Sequence, residues 1–393
     1  LVVVFAFGAY YGHTNRPAME RGFGVFGQQP PMEYKSVDFN LFWDVWSRLE
    51  GKYVDKDKLD RKNMVFGAIS GLVSSLKDPH SEFMPPDDTK QFQEDIRGSF
   101  DGIGAEIGMR KGILTVIAPL AGSPAEKAGV KAGDKIIKVD DKSTVDLNLN
   151  EAVRLIRGKK GTEVRLTILR NGADQTKEIK IIRDTIRVKV LTTEKKPDGV
   201  FVIKLATFTE GAAREFKNAV QEFFNSGSKK LVLDLRNNPG GFLTVSIDIA
   251  SWFFDSGTVV ARERKYDGSE EIYRSAGYRL LKDTPMVVLV NEGSASASEI
   301  LAGALRDNKG IVLVGTKTFG KGSVQEVEDL PGGSSLKITI AKWMTPKGIE
   351  INGTGLEPDV KVELPKIEPK VLIEGAEEED LIMKKGLEVL KGL

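Results

Sequence analysis

Apolar and polar positions divide the chain into stretches of different period. From Val37 to Asp95 apolar residues recur at helical spacing, in Leu41-Phe-Trp-Asp-Val-Trp-Ser-Arg-Leu49 and again from Met64 to Leu76, until Asp78-Pro79 breaks the pattern. Between 99 and 183 the period shortens. Ile113–Ile117, Gly133-Asp-Lys-Ile-Ile-Lys-Val139 and Glu163–Arg170 read as strands, set around a Ser123-capped short helix closed by Gly129 and a second helix Leu149–Ile156, with a turn at Asn171-Gly172. From 184 to 365 the two periods alternate. Strands are predicted at Phe201–Ala206, Leu231–Leu235, Val259–Arg264, Met286–Val290 and Ile311–Val314, with helices at Ala212–Phe224, Leu243–Phe254 and Glu299–Leu305, which implies an α/β layer domain. Asp380–Leu393 predicts a short helix after an acidic linker.

The run Leu1–Tyr11 is apolar and uncharged but shorter than the about 20 residues that span a bilayer. It reads as the end of a signal-anchor or signal-peptide core, so an exported protein is expected, membrane-anchored or periplasmic, with residues 14–36 as a Pro-, Gly- and Gln-containing linker. At 393 residues with 40% hydrophobic and 29% charged content, the chain is long enough for two or three soluble domains. Its formal charge is only +1, which gives no field for nucleic acid. No cysteine is present, so disulfides, thiolate nucleophiles and cysteine zinc sites are excluded. His13 and His80 are the only histidines, too few for a histidine-rich metal site, and no metal or cofactor is expected.

Candidate chemistry concentrates where the apolar run 286–290 gives way to Asn291-Glu-Gly-Ser-Ala-Ser-Ala-Ser-Glu299. A serine cluster thus stands at a strand-to-helix junction, where unpaired backbone N–H groups of the first helical turn could stabilise an oxyanion. Ser296-x-x-Glu299 also fits a capping box, in which the same residues only satisfy the helix end. A serine nucleophile here needs a base, and with histidine so scarce the glycine-flanked Lys321 is the nearest candidate. Gly315-Thr-Lys-Thr-Phe-Gly-Lys321 matches the first seven positions of a phosphate-binding loop, but Gly322 stands where Ser or Thr should hold magnesium, and a strand pattern follows in place of a helix. Arg236-Asn-Asn-Pro-Gly-Gly241 ends a strand and opens a helix, a second place where backbone N–H groups could face a ligand.

The order of elements over 99–183 resembles a PDZ domain, with Gly102-Ile-Gly-Ala105 as the carboxylate-binding loop and Ser123–Val139 as its Pro-Ala-x-x-Ala-Gly run. The resemblance implies capture of an extended peptide C-terminus by β-addition. Together with Leu233-Asp-Leu-Arg-Asn-Asn-Pro-Gly-Gly241, Ser294-Ala-Ser-Ala-Ser-Glu-Ile300, Thr318-Phe-Gly-Lys-Gly322 and Gly355-Leu-Glu-Pro-Asp359, the chain over about residues 37–365 resembles the carboxyl-terminal processing, or tail-specific, proteases.

That resemblance implies a serine endopeptidase with Ser296 as nucleophile, Lys321 as base, Gln325 orienting the lysine, and an oxyanion hole from the N–H groups of Ala297 and of Gly240 or Gly241. Gly102, Ile103, Gly104 and Ala105 would hold the substrate's C-terminus. Arg157, at the end of helix Leu149–Ile156, would couple the module to the protease. The expected fold class is multidomain α+β: residues 1–36 a signal-anchor remnant and linker, 37–98 a helical N-terminal region, 99–183 a PDZ-like β-rich domain, 184–365 an α/β layered protease domain of crotonase/Clp-like kind, and 366–393 a linker and helix. Expected partners are protein or peptide substrates with apolar C-termini, the membrane through the N-terminal anchor, and a second copy of the chain through the helical N- and C-terminal regions, without nucleic acid. The alternative is a catalytically inactive PDZ scaffold.

Overall fold

The computed structural model describes residues 38–110, 112–145, 147–170, 175–187, 189–363 and 380–393; the expectations for residues 1–36, for the Asn171-Gly172 turn and for the acidic linker lie outside them. The chain forms two compact units that divide between Ala68 and Ile69. In the first, Phe39, Phe42, Trp43 and Trp46 pack ring against ring on helix Asn40–Lys52, none of whose residues is buried. Glu50 on that helix pairs with Arg61 at 2.7 Å, the first residue of helix Arg61–Ser74. Among the described residues no helix is long and apolar enough to cross a membrane.

The helical pattern expected through Asp95 is interrupted at Asp78–Met84. Glu82–Met84 instead forms a strand with Phe83 and Met84 buried, because three residues are too few to display a period and a long-range partner decides their conformation.

The β-rich module is built on a six-stranded antiparallel sheet, in order Ala105–Arg110, Ile113–Pro119, Lys135–Val139, Glu163–Leu169 and Lys177–Ile182, with the short strand Lys142–Ser143 also paired to Lys135–Val139. Alternation along Glu163–Leu169 sends Val164, Leu166 and Ile168 into the core against Val116 and Ile136. Helix Leu149–Ile156 packs on the core of this sheet behind an Asn148/Glu151 capping box. Ala105–Arg110 is an edge strand, and its Ala105 and Ile107 pack with Leu149 and Leu155 of the helix on the same core. Ser99–Gly102 pairs with Asp184–Arg187, so the chain enters and leaves the module side by side.

The α/β domain is built on strands β1 (Leu191–Lys195), β2 (Val200–Leu205), β3 (Lys230–Asp234), β4 (Val259–Lys265), β5 (Glu270–Arg274), β6 (Met286–Val290), β7 (Val312–Gly315), β8 (Ser323–Asp329), β9 (Ser335–Met344) and β10 (Val360–Lys361). Its helices are α1 (Ala212–Asn225), α2 (Leu243–Ala250), α3 (Ala297–Lys309) and α4 (Leu381–Lys391). The main sheet runs β1-β2-β3-β6-β7-β10, parallel except for β1. Both faces are covered, which is why β6 is apolar at every position and wholly buried. Phe201, Ile203, Leu233, Val288 and Val290 point to the α1–α3 face, while Val200, Val202, Val232, Val287 and Leu289 meet Ile382 and Leu390 of α4 on the other. A second, antiparallel sheet joins β4, β5, β8, β9 and Glu82–Met84. The connections β6–α3 and β7–β8 emerge at the same end of the main sheet, and the chemistry-bearing residues ride on them.

Candidate active site

Val290 is the last residue of β6, and the chain reaches α3 through a loop whose three serines have different environments. Ser294 and Ser298 are fully buried: Ser294 Oγ donates to Leu235 O at 2.8 Å and Ser298 Oγ to Asn238 O at 2.9 Å. Both are spent in bolting the loop to the 235–241 segment. Ser296 alone is partly accessible, and it sits at φ +55° and ψ −116°, a region costly for any residue with a Cβ. This strained turn holds its side chain up at the helix N-terminus. Ala297, the first helical residue, leaves its N–H ahead of the helix's own hydrogen-bond ladder.

The 235–241 segment packs directly beneath. Gly240 (φ +100°) lies so close that a Cβ there would meet Ser296 Cβ at 2.8 Å and Ala297 N at 3.0 Å. Its own N–H is taken by Asn238 Oδ1 at 2.9 Å, whereas among the described residues the Gly241 N–H makes no hydrogen bond and Gly241 is exposed. Ala295 N donates to Asn238 O, and Asn237 and Asn291 exchange two bonds at 2.8 Å, so the two loops move as one piece.

Lys321 follows β7 in a loop that needs its glycines. A side chain at Gly322 would meet Asn352 N at 2.1 Å, and one at Gly320 would meet Gly355 N at 2.9 Å. Thr318 exchanges hydrogen bonds with Leu356, and Leu313 N donates to Asp359 Oδ2, so Gly355-Leu-Glu-Pro-Asp359 is the wall against which the lysine loop is laid. No helix follows Gly322; β8 begins at Ser323, which removes the phosphate-loop reading.

The residue joining the two loops is Glu299, fully buried on α3. Its Oε2 accepts from the N–H of Ser296 at 2.9 Å and from the N–H of Lys321 at 3.0 Å; its Oε1 accepts from Gly320 N–H at 2.8 Å and Thr318 Oγ1 at 2.5 Å. The sequence presented Glu299 as half of a helix cap. That half exists, but the same carboxylate also gathers the lysine loop from more than twenty residues downstream. Burial pushes its pKa above the ordinary carboxylate value, against the pull of these four donors.

Lys321 is itself held below the ordinary lysine value, first by burial and then by the nearby ammonium of Lys337, while Glu82 pulls weakly the other way. Glu82 and Lys337 pair with each other across the Glu82–Met84/β9 ladder. Gln325, on β8, donates from Nε2 to Ser323 Oγ at 2.7 Å and Thr339 Oγ1 at 3.2 Å, an arrangement that leaves its carbonyl oxygen as the available acceptor.

Thr339 is in turn held by Ser81, whose Oγ accepts from Thr339 N and donates to Asp78. The Asp78–Ser81 turn therefore belongs to the surroundings of Lys321, a placement that no sequence pattern reveals. His80 lies within electrostatic reach, with its pKa lowered by burial and by Lys321. Among the described residues no cluster of three or more His, Cys, Asp or Glu is disposed to hold a metal ion.

In the β-rich module, Gly102, Ile103 and Gly104 are buried at the head of the edge strand and Ala105 is half-buried. Gly104 is at φ +72°, and a side chain there would meet Ser123 Cβ at 2.6 Å. Ile103 O and Gly104 O are engaged by Ala125 N and Leu120 N, which fixes the loop on the Ser123-capped helix. Arg157 is half-buried with its guanidinium 4.2 Å over the Phe100 ring of strand Ser99–Gly102. The ion pair from this helix to the lead-in helix Pro86–Arg97 is made by Arg154, at 2.9 Å to Asp88.

Residues 199–362 match Peptidase family S41 and residues 115–170 match the PDZ domain. The photosystem II D1 C-terminal processing protease, a solved structure, aligns at 32% identity with a TM-score of 0.53, over 82% of this chain and 92% of its own. The chain belongs to the carboxyl-terminal processing proteases of peptidase family S41. Among curated relatives, the carboxy-terminal processing protease CtpA of Bacillus subtilis is 42% identical over 78% of this chain and 66% of its own length. A probable CtpA-like serine protease of Staphylococcus haemolyticus is 45% identical over 76% of this chain and 60% of its own. The chain thus spans somewhat less than two thirds of the length of these relatives.

Proposed function

We propose that this protein is a serine endopeptidase that captures the C-terminal end of protein substrates in its PDZ domain and cleaves them through a Ser296–Lys321 acyl-enzyme mechanism. The observation that carries this reading is the single buried carboxylate of Glu299, to which the backbone of Ser296 and the backbone of Lys321 are both bonded. A partly accessible serine and a lysine of depressed pKa are thereby tied together in a site from which the two neighbouring serines have been withdrawn.

In the reaction, neutral Lys321 takes the proton from Ser296 Oγ as that oxygen attacks the scissile carbonyl carbon. The carbonyl oxygen becomes an oxyanion received by the N–H groups of Ala297 and Gly241, with Gly240 kept bare so that nothing covers them. Protonated Lys321 returns the proton to the departing amine, leaving an ester on Ser296. Lys321 then deprotonates a water that attacks the ester and returns that proton to Ser296 Oγ as the C–O bond breaks, so the second product leaves with a new carboxylate and both side chains are restored. Gln325 steers the amine through its carbonyl oxygen without adding a charge that would raise the lysine's pKa.

The edge strand Ala105–Arg110 and the Gly102–Ala105 loop support capture of an extended peptide with an apolar last residue. Arg157, stacked on Phe100 where the module joins the protease, is proposed to relay occupancy. The apolar face of helix Asn40–Lys52 supports pairing with a second copy of the chain, and the apolar run at 1–11 supports an exported, membrane-held enzyme. The test is direct: Ser296→Ala and Lys321→Ala should each abolish cleavage of an unfolded protein substrate with circular dichroism unchanged, and the double variant should be no worse than either. Full activity in Ser296→Ala would assign the nucleophile elsewhere; a folded wild-type protein that binds C-terminal peptides but cleaves none would favour the inactive scaffold.

A further inference from the structure

The 235–241 segment carries Gly240 and Gly241 beneath the proposed nucleophile, and its second residue beyond β3, Arg236, is tied to an element on the opposite side of the sheet. Asp234 at the end of β3 is only 1% exposed and takes Arg236 in a fork: Nε to Oδ1 at 2.9 Å, Nη2 to Oδ2 at 2.7 Å, with the Arg236 N–H also on Oδ1 at 3.0 Å. The outer edge of the same guanidinium is taken by Asp380, through Nη1 to Oδ1 at 2.6 Å and Nη2 to Oδ2 at 2.9 Å. Asp380 is the N-cap of α4, its Oδ1 accepting from Met383 N at 2.9 Å. The helix it starts lies on the main sheet away from α1–α3, burying Ile382 and Leu390 there. Gly386 lets it approach so closely that a Cβ would meet Leu289 Cδ2 at 2.6 Å, and Lys230 Nζ donates to Leu390 O at 2.7 Å.

Resting on the protease reading above, we propose that Asp380 is a positioning residue for catalysis: with Asp234 it clamps Arg236, and so fixes where the oxyanion-binding glycines begin. One carboxylate alone leaves a planar guanidinium free to pivot about its fork; two carboxylates on adjoining edges fix its plane. The fixed point matters because Asn237, next in sequence, turns at φ +56° into the loop bolted to Asn291, Ala295 and Ser298. A rotation at Arg236 is therefore passed to the N–H of Gly241 and the packing of Gly240 on Ser296, where a displacement of about 1 Å can cost up to about a hundredfold in rate. The device ties the competence of the site to the docking of α4, on the far side of the sheet from α3.

Capping and clamping by Asp380 are separable. Asp380→Asn keeps a good N-cap but loses the charge and turns an amide N–H₂ toward Arg236, while Asp380→Glu keeps the carboxylate and is a poor cap. With an internally quenched peptide ending in an apolar residue, Asp380→Asn should lower kcat about tenfold with KM within twofold, and the rate of fluorophosphonate labelling should fall in parallel. Asp380→Glu should retain most of kcat while losing more thermal stability than Asp380→Asn. The clamp is overturned if Asp380→Asn keeps kcat within twofold, if only KM moves, or if Asp380→Glu is the slower of the two, since each outcome leaves Asp380 a helix cap only. Wild-type and Ser296→Ala are run alongside. Cleavage that persists in Ser296→Ala overturns the underlying protease reading, not the clamp, so the two failures are told apart.

Discussion

Ser296 holds its side chain in a backbone conformation that costs a Cβ-bearing residue about 1–3 kcal/mol, a cost the surrounding hydrogen bonds of Ser294, Ser298 and Glu299 sustain. Ser296→Gly should therefore be inactive yet about 1 kcal/mol more stable than Ser296→Ala in denaturant unfolding; equal stabilities would show that the turn is unstrained. Glu299→Gln presents an amide N–H₂ to backbone donors that now share a carboxylate. It should cost about 2–4 kcal/mol and slow cleavage, because each lost bond to a charged acceptor is large and the donors are buried. A variant with wild-type stability and rate would show that the shared carboxylate is dispensable.

Lys321 gives the site a pH dependence of definite sign. Its folded pKa is depressed by burial, so between that value and the ordinary lysine value of about 10.4 the unfolded chain binds the extra proton. Its contribution to stability is complete above the ordinary value and is lost as pH falls through the depressed one. Acylation should climb with pH through the same depressed value and then level off. Lys321→Arg should be inactive, since a guanidinium does not deprotonate, and His80→Ala should keep the plateau rate. A His80→Ala enzyme that folds and binds substrate but does not acylate would move the base to His80, whose pKa burial and Lys321 already lower.

At the scale of elements, a buried parallel sheet delivers two loops to one end, and glycine makes their approach close enough to matter. Gly322→Ala would press a methyl to 2.1 Å from Asn352 N and should cost about 2–3 kcal/mol, read as a shift of the unfolding midpoint; a neutral change would mean that the lysine loop yields easily. Strand β6 and helix Leu149–Ile156 fall where the apolar pattern predicts them, because a fully buried strand and a one-sided helix each write their period into the sequence. Glu82–Met84 and the Asp78–Ser81 turn were illegible. Their conformation is set by pairing with β9, which lies some 250 residues away in sequence.

The whole molecule joins the β-rich module to the Ser296–Lys321 region through the paired strands Ser99–Gly102 and Asp184–Arg187, so under the proposed function peptide binding at one can alter the other only through a difference in affinity between two states. Amidating the C-terminal carboxylate of a peptide substrate should lower kcat/KM about tenfold or more by removing its contact with the Gly102–Ala105 loop; unchanged cleavage would disconnect the module from catalysis. The sequence by itself determined the layered α/β domain, the β-rich module and the family resemblance, and it singled out Ser296 and Lys321 as the candidates for chemistry. These depend on local period, on glycines demanded by tight turns, and on contiguous motifs that persist in a linear chain. Tertiary structure alone decided which serine is accessible, that Glu299 binds both loops, that Lys337, Glu82 and the Asp78–Ser81 turn surround the lysine, and that Asp380 reaches Arg236. The physical reason is common to all four: burial, hydrogen-bond partnership and electrostatic environment are properties of residues brought together across long separations, and no spacing in the sequence encodes a distance in space.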